Sequence, residues 1–194
     1  MLGKLREKYE QIMAPAGKIL AGSGLTPNMI TIISLVTSIL TFWFYYQKSL
    51  ILGAFFIVLT GVIDMLDGAV ARAAGKATRF GAVLDHVLDR YAEYLIITGI
   101  VLGGYVDWIW GVFALFGMLM ASFTRAKAES VGGLKSCTVG IAERQEKLII
   151  IIAGSLLTLY YPQTLVYAIV LVGLISHITV AQRLEYTRRQ TRSK

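Results

Sequence analysis

The sequence has 194 residues, of which 56% are hydrophobic, and it carries a formal net charge of +7. Soluble domains are about 45–50% apolar, and here the apolar excess lies in long uncharged runs, which excludes an ordinary soluble fold. The single Cys137 excludes an intramolecular disulfide and a cysteine metal cluster. No repeat, low-complexity segment or second domain is visible, so we expect one membrane domain over residues 1–194.

The first 27 residues predict a helix on the membrane surface rather than a signal peptide. They lack a long apolar region followed by a small-residue cleavage site. From Met1 to Leu20, apolar side chains recur at helical spacing with charged residues between them, which is typical of an amphipathic helix lying on a bilayer. These apolar positions are Leu2, Leu5, Tyr9, Ile12 and Met13.

Six apolar segments follow, and each predicts a transmembrane helix, because about 20 mostly apolar residues cross a bilayer. Three are long and uncharged, and three are shorter or interrupted by acidic residues. We place the spans at 28–46, 50–72, 82–105, 108–128, 145–161 and 163–184, with a juxtamembrane helix at 1–27 and a basic tail at 185–194. The predicted fold is all-α, a polytopic six-helix membrane bundle with an N-terminal amphipathic surface helix.

The basic residues are concentrated in alternate connections between the predicted spans. Although the protein is positively charged, this distribution argues against nucleic acid as its partner. Lys and Arg are frequent before span 1, between spans 2 and 3, between spans 4 and 5, and after span 6. The remaining connections hold Lys48 alone or no cation. The positive-inside rule therefore places both termini and the basic connections in the cytoplasm, in a multi-pass protein of the cell membrane.

Four aspartates lie within 26 residues, at the cytoplasmic ends of spans 2 and 3. Asp64 and Asp67 share a helix face because they are three residues apart, and Asp85 and Asp89 share one because they are four apart. The short connection between the spans predicts antiparallel neighbouring helices, so the two pairs can converge. Because converging carboxylates repel one another, we expect hard divalent cations (Mg²⁺, Mn²⁺ or Ca²⁺) to neutralise them, with room for two ions.

The residues beside the aspartates suit a diphosphate ligand. Gly68 directly follows Asp67 and lets a ligand approach the backbone, and Arg72 lies one turn further on and can face a diphosphate. One spaced pattern in this region resembles the signature of the CDP-alcohol phosphotransferase family: Asp64-x-x-Asp67-Gly68-x-x-Ala71-Arg72, eight residues, Gly81-x-x-x-Asp85-x-x-x-Asp89. The family is also similar in length, in its six spans and in its N-terminal surface helix.

This resemblance implies the chemistry. A CDP-lipid, either CDP-diacylglycerol or CDP-archaeol, would bind, an alcohol hydroxyl would attack the phosphorus distal to cytidine, and CMP would leave. Two ions, Mg²⁺ or Mn²⁺, would be held, one by Asp64, Asp67 and Asp85 and the other by Asp67, Asp85 and Asp89, and Asp89 would be the catalytic base. The resemblance further implies a homodimer and CDP-lipid contacts from Gly68, Arg72 and Thr78, with Asn28 and Thr31 added by the similar stretch that begins at Pro27.

Three arginines at the cytoplasmic side indicate the acceptor. Arg125 ends span 4, Arg144 opens span 5 and Arg183 closes span 6, and converging arginines bind phosphate well. They resemble the branch of the family that uses inositol 1-phosphate, the phosphatidylinositol-phosphate and archaetidylinositol-phosphate synthases. Gln145 departs from this branch, which often has proline there.

Several alternatives remain open on the sequence alone. Arginines at cytoplasmic helix ends are also ordinary topology determinants, and glycerol 3-phosphate is a second phosphorylated acceptor. An intramembrane prenyltransferase would also use aspartates and metal. A divalent cation transporter is the alternative of a different class, although its site should lie near the bilayer midplane. His86 and His177 are interpreted as packing or helix-bonding residues rather than ligands.

Overall fold

A computed structural model of the protein describes residues 3–192, with side chains from Ile12 onward. The predicted all-α class is confirmed, since the described chain forms seven helices and no strand. Of the predicted amphipathic positions, Leu2 and the side chains of Leu5 and Tyr9 lie outside the described part. The helices are α1 (Gly3–Gly22), α2 (Pro27–Tyr46), α3 (Leu50–Ala73), α4 (Arg79–Leu102), α5 (Trp108–Ser130), α6 (Arg144–Leu157) and α7 (Thr164–Arg192).

Membrane-spanning character is clear for four of these helices. In the described chain, α2, α3, α5 and α7 have the length and apolarity needed to cross a bilayer. The helix α4 carries the aspartate pair and further charges, and α6 has only 14 residues. The total of six spans therefore remains a prediction.

Helix ends and predicted span ends differ in the C-terminal part of the chain. The fifth span is predicted to reach residue 161, and α6 ends at Leu157. The described part of the predicted basic tail is helical, because α7 continues as far as Arg192. Glu185 accepts hydrogen bonds from Arg188 and Arg189 at helical spacing, which supports this extension.

Local sequence signals set the helix starts around the site. Thr26 caps α2 by accepting a hydrogen bond from the backbone N–H of Met29, and Pro27 occupies the first helical position. Thr78 caps α4 by accepting from the N–H of Gly81 at 2.9 Å. Helix α6 begins with a capping box between Glu143 and Glu146. The chain therefore enters three helices at fixed points beside the functional residues.

The helix α2 packs extensively against both α3 and α4, whose backbones approach each other less closely than either approaches α2. The predicted meeting of α3 and α4 takes place through their side chains, since carboxylates of the two helices come together at one end. On the other side, α5 packs against α7, while α6 contacts α7 and α3.

Glycines allow two close helix approaches, as is common in membrane bundles. A Cβ atom on Gly99 of α4 would lie 2.7 Å from the Cα of Phe42 in α2. A Cβ atom on Gly17 of α1 would lie 2.8 Å from the carbonyl carbon of Ala69 in α3. The first contact fixes α4 against α2, and the second places α1 directly behind the aspartates of α3.

Candidate active site

Three of the predicted metal ligands converge between α3 and α4. Carboxylate oxygens of Asp64, Asp67 and Asp85 lie within 4.8 Å of one another. The hydroxyl of Thr31, on α2, donates a hydrogen bond to Oδ2 of Asp67 at 3.0 Å, and both residues are buried. The helix α2, which packs against both α3 and α4, thus also orients the most buried carboxylate of the cluster.

A second possible ligand group contains a residue that the sequence reasoning set aside. Asp85, His86 and Asp89 each offer a ligand atom within 4.8 Å of the others. The side chain of His86 is 71% exposed and its Nδ1 lies 3.9 Å from Oδ2 of Asp85, so it does not pack inside the described bundle. The interpretation of His177 as a helix-bonding residue is confirmed, since its ring stacks on Phe113 and its Nε2 lies 3.3 Å from the Phe113 carbonyl oxygen.

Arg144 connects the two aspartate pairs. Its Nη1 atom lies 2.7 Å from Oδ2 of Asp64 and 2.7 Å from Oδ1 of Asp89. All three side chains are less than one-fifth exposed, so these charge-assisted contacts are largely shielded from solvent. The residue that was expected to bind an acceptor phosphate is therefore also in direct contact with two predicted metal ligands.

The residues expected at the CDP-lipid lie at the same end of the bundle. A Cβ atom on Gly81 would lie 3.0 Å from Oγ1 of Thr78 and 3.2 Å from Oδ1 of Asn28, so these side chains meet above the start of α4. A Cβ atom on Gly68 would lie 3.3 Å from Nη1 of Arg72, which places that guanidinium across the bare glycine. The structure therefore groups these residues around the aspartates.

The three predicted acceptor arginines line one cavity of about 250 Å³ between α4, α5, α6 and α7. Arg125, Arg144 and Arg183 share this cavity with Asp64 and Asp89, so it opens directly beside the carboxylates. The sequence placed these arginines only at one membrane face, and the fold brings them together.

Two of the arginines also hold the connection between α5 and α6. Arg183 is 6% exposed, and it donates hydrogen bonds to the carbonyl oxygens of Val139 at 2.9 Å and Ala121 at 2.6 Å. Arg125 donates to Oε1 of Glu129 at 3.1 Å, and that oxygen also accepts from the backbone N–H of Cys137. These contacts fix the positions of the arginines relative to the cavity.

Among the charged residues of the cavity that sequence reasoning did not assign, Glu93 and Lys147 are buried. Glu93 is 2% exposed and Lys147 is 5% exposed. The available signal was helical spacing, since Glu93 lies four residues after Asp89 and Lys147 lies three residues after Arg144.

Comparison with known proteins agrees with this arrangement. Residues 24–180 match the family model described as CDP-alcohol phosphatidyltransferase. The archaetidylinositol phosphate synthase of Pyrococcus horikoshii is 37% identical over 190 residues, with 98% of each chain covered.

Two solved structures of one bacterial enzyme are also similar. The phosphatidylinositol phosphate synthase of Mycobacterium tuberculosis with CDP-DAG bound aligns with a TM-score of 0.82 at 31% identity, covering 91% of this chain and 94% of that one. The same enzyme in complex with manganese and citrate aligns with a TM-score of 0.81 at 30% identity, covering 91% and 88%. The motif-based prediction is therefore confirmed, and this membrane protein belongs to the CDP-alcohol phosphatidyltransferase family of enzymes.

Proposed function

We propose that this protein transfers a phosphatidyl or archaetidyl group from a CDP-lipid to inositol 1-phosphate and releases CMP. The observation that carries the proposal is the position of Arg144, which contacts Asp64 and Asp89 and also lines the cavity with Arg125 and Arg183. A diphosphate at the carboxylates and an anionic acceptor in the cavity would be adjacent, as group transfer requires. The names of the similar synthases and the CDP-DAG in one of them support these substrates.

The acidic cluster fits divalent metal, because its donors are clustered carboxylates, the hard oxygen ligands that Mg²⁺ and Mn²⁺ prefer. We assign one ion to Asp64, Asp67 and Asp85, and a second to Asp67, Asp85 and Asp89. The manganese in the related structure supports this assignment. The chemistry that such ions supply is neutralisation of the diphosphate and stabilisation of the CMP leaving group.

The donor would lie across the ends of α2, α3 and α4. Gly68 leaves the backbone of α3 open beside Asp67, and the Arg72 guanidinium lies over it. Asn28 and Thr78 provide polar atoms at the start of α4, and Thr31 holds Asp67 in place. In this arrangement Arg72, Asn28 and Thr78 bind the CDP group, while the lipid chains extend along apolar helix surfaces.

The acceptor would bind through its phosphate to Arg125, Arg144 and Arg183. Planar guanidinium groups bind phosphate oxygens through paired hydrogen bonds. Asp89 lies at the edge of the same cavity, where it would orient the attacking hydroxyl and take its proton on a carboxylate oxygen. Glycerol 3-phosphate also carries a phosphate and is the competing acceptor.

We further propose that the active site and both termini face the cytoplasm and that the protein is a homodimer. The distribution of Lys and Arg among the connections supports the orientation. All the candidate site residues lie at the same end of the bundle, which agrees with a single site at one membrane face.

The direct test is CMP release by the purified protein in detergent with Mg²⁺ and a CDP-lipid. Inositol 1-phosphate, glycerol 3-phosphate, free inositol and serine are supplied in parallel, with CDP-diacylglycerol and CDP-archaeol as donors. We expect CMP with inositol 1-phosphate and none with free inositol. Release with glycerol 3-phosphate alone would overturn the acceptor, and no release with any pair would overturn the proposed reaction.

A further inference from the structure

Glu93 is a buried acid that the metal and phosphate assignments leave without a role. It lies on α4, four residues after Asp89 and therefore about 6 Å further along the helix axis. Its side chain is only 2% exposed. Acidic side chains inside a membrane segment are costly, and those that are present usually face a functional cavity.

The contacts of Glu93 satisfy one of its oxygens and leave the other without a partner. Oε1 lies 3.0 Å from Nη2 of Arg90 and 3.9 Å from Nε of Arg144. Oε2 is buried and has no hydrogen-bond partner among the described side and main chains. A buried acceptor without a donor is unfavourable, so a donor from a bound molecule would complete this site.

Lys147 is a hydrogen-bond donor, whereas the Glu93 carboxylate is an acceptor. It is 5% exposed, lines the same cavity as Glu93 and interacts electrostatically with it. Because Lys147 follows Arg144 by three residues, it lies about one turn further along α6, as Glu93 lies one turn beyond Asp89 on α4. The cavity is therefore lined by phosphate-binding arginines and by an acid and an amine one turn deeper.

A carboxylate only accepts hydrogen bonds and an ammonium group only donates them, whereas a hydroxyl does both. An acid and an amine that line one cavity can therefore bind neighbouring hydroxyl groups of a polyol. A phosphate would not approach Glu93, since both are anionic. The arginines suit the phosphate of the acceptor, and the deeper pair suits its hydroxyls.

We propose that Glu93 and Lys147 bind ring hydroxyls of the polyol phosphate acceptor and so determine its specificity, an inference that rests on the proposed function. Glu93 accepts hydrogen bonds from the ring, and Lys147 donates to it. A short acceptor such as glycerol 3-phosphate, held by its phosphate, offers fewer hydroxyls to the deeper pair. Both residues position the acceptor and take no part in bond making.

The test compares Glu93→Gln and Lys147→Met with wild type in the CMP-release assay. We expect the KM for inositol 1-phosphate to rise about 10- to 100-fold in each variant, the size expected for a hydrogen bond to a charged group. The KM for CDP-lipid and the KM for glycerol 3-phosphate should change less than about threefold by the same reasoning. Glu185→Gln is the matched control, because Glu185 lies on the exposed end of α7, away from the cavity, and pairs with Arg188 and Arg189.

A purely structural role for Glu93 would overturn the inference. In that case Glu93→Gln would lower kcat equally with both acceptors and leave the ratio of their KM values unchanged. If either variant fails to fold, the test is made on the wild-type protein with deoxyinositol phosphates, each of which lacks one ring hydroxyl. At least one should bind about tenfold more weakly than inositol 1-phosphate, and equal KM values for all would overturn the inference. Absence of wild-type activity with inositol 1-phosphate would overturn the proposed function as well.

Discussion

The aspartate cluster of α3 and α4 and the basic cavity of α5, α6 and α7 are built in different ways. The aspartates lie within 26 consecutive residues at fixed helical spacing. The cavity draws its arginines from three helices that are far apart in sequence, and Arg183 donates a hydrogen bond to the carbonyl of Val139 in the α5–α6 connection. Arg144 belongs to both regions, since it lines the cavity and contacts Asp64 and Asp89.

The aspartate cluster follows from local sequence spacing, whereas the basic cavity depends on tertiary packing. In the aspartate cluster, helical periodicity alone decides which carboxylates share a face. In the cavity, Arg183 and Arg144 are held by groups of other segments, the carbonyl of Val139 and the carboxylates of Asp64 and Asp89. We therefore expect substitutions among the aspartates to abolish the reaction, and substitutions in the cavity to affect one substrate more than the other.

The largest effect is expected for Asp67→Asn. The substitution removes the charge of the most buried carboxylate in the cluster and keeps its shape, so that metal is bound poorly. We expect kcat to fall about 10³-fold, because a bound metal contributes several kcal/mol to transition-state stabilisation. Mn²⁺ titration followed by electron paramagnetic resonance should show weakened binding. Wild-type affinity for Mn²⁺ together with lost activity would contradict a ligand role for Asp67.

Arg144→Ala sharpens the comparison, because this residue joins the two regions. We expect the KM for the phosphorylated acceptor to rise about 100-fold, since a charged hydrogen bond to phosphate is lost. We also expect a lower thermal unfolding temperature without divalent ions, because Asp64 and Asp89 lose their shared counter-charge.

Added Mg²⁺ should restore the unfolding temperature of this variant and leave its raised KM unchanged. Arg125→Ala is the matched comparison, since Arg125 pairs with Glu129 and contacts neither aspartate. It should raise the acceptor KM without making the unfolding temperature depend on Mg²⁺. If both variants respond to Mg²⁺ alike, Arg144 does not link the two regions.

Thr31→Val tests how α2 supports the cluster. It keeps the side-chain volume and removes the hydroxyl that donates to Asp67. Removing an outer partner of a metal ligand usually lowers metal affinity or activity about 10- to 100-fold, and we expect a loss in this range in the CMP-release assay. Thr41→Val is the control, because the Thr41 hydroxyl bonds only to the carbonyl of Thr37 in the same helix. Equal losses in both variants would assign the effect to helix packing.

The smallest effect is expected for Gly68→Ala. The added methyl would lie 3.3 Å from Nη1 of Arg72, so the flexible guanidinium must shift. We expect the KM for CDP-lipid to rise about threefold, from a contact loss below 1 kcal/mol, with the acceptor KM unchanged. The same substitution at Gly61 meets nothing within 4 Å and should leave both values at the wild-type level. A larger change in the acceptor KM would place the donor elsewhere.

Much of the fold and half of the site could be predicted from the sequence. Uncharged apolar runs predicted most helix positions, and the spacing of Asp64, Asp67, Asp85 and Asp89 predicted the cluster. The packing of α2 against both α3 and α4 could not be predicted, because it depends on contacts between helices that local spacing does not encode. No role could be assigned to Glu93 from the sequence, because the importance of a single acid in an apolar run is visible only when its burial and its neighbours are known.

The helix α6 is short compared with the thickness of a bilayer. Its 14 residues rise about 21 Å, whereas the hydrocarbon layer is about 30 Å thick. The turn that follows bonds internally, with the N–H of Tyr161 donating to the Leu157 carbonyl and the N–H of Leu165 donating to Thr158 Oγ1. Such pairing suits surroundings poor in water, and the exposed rings of Tyr160 and Tyr161 suit the headgroup level. If α6 is the predicted fifth span, lipids beside it form a thinner layer than elsewhere, and we expect the stability of the protein to depend on the thickness of the host membrane through this hydrophobic mismatch.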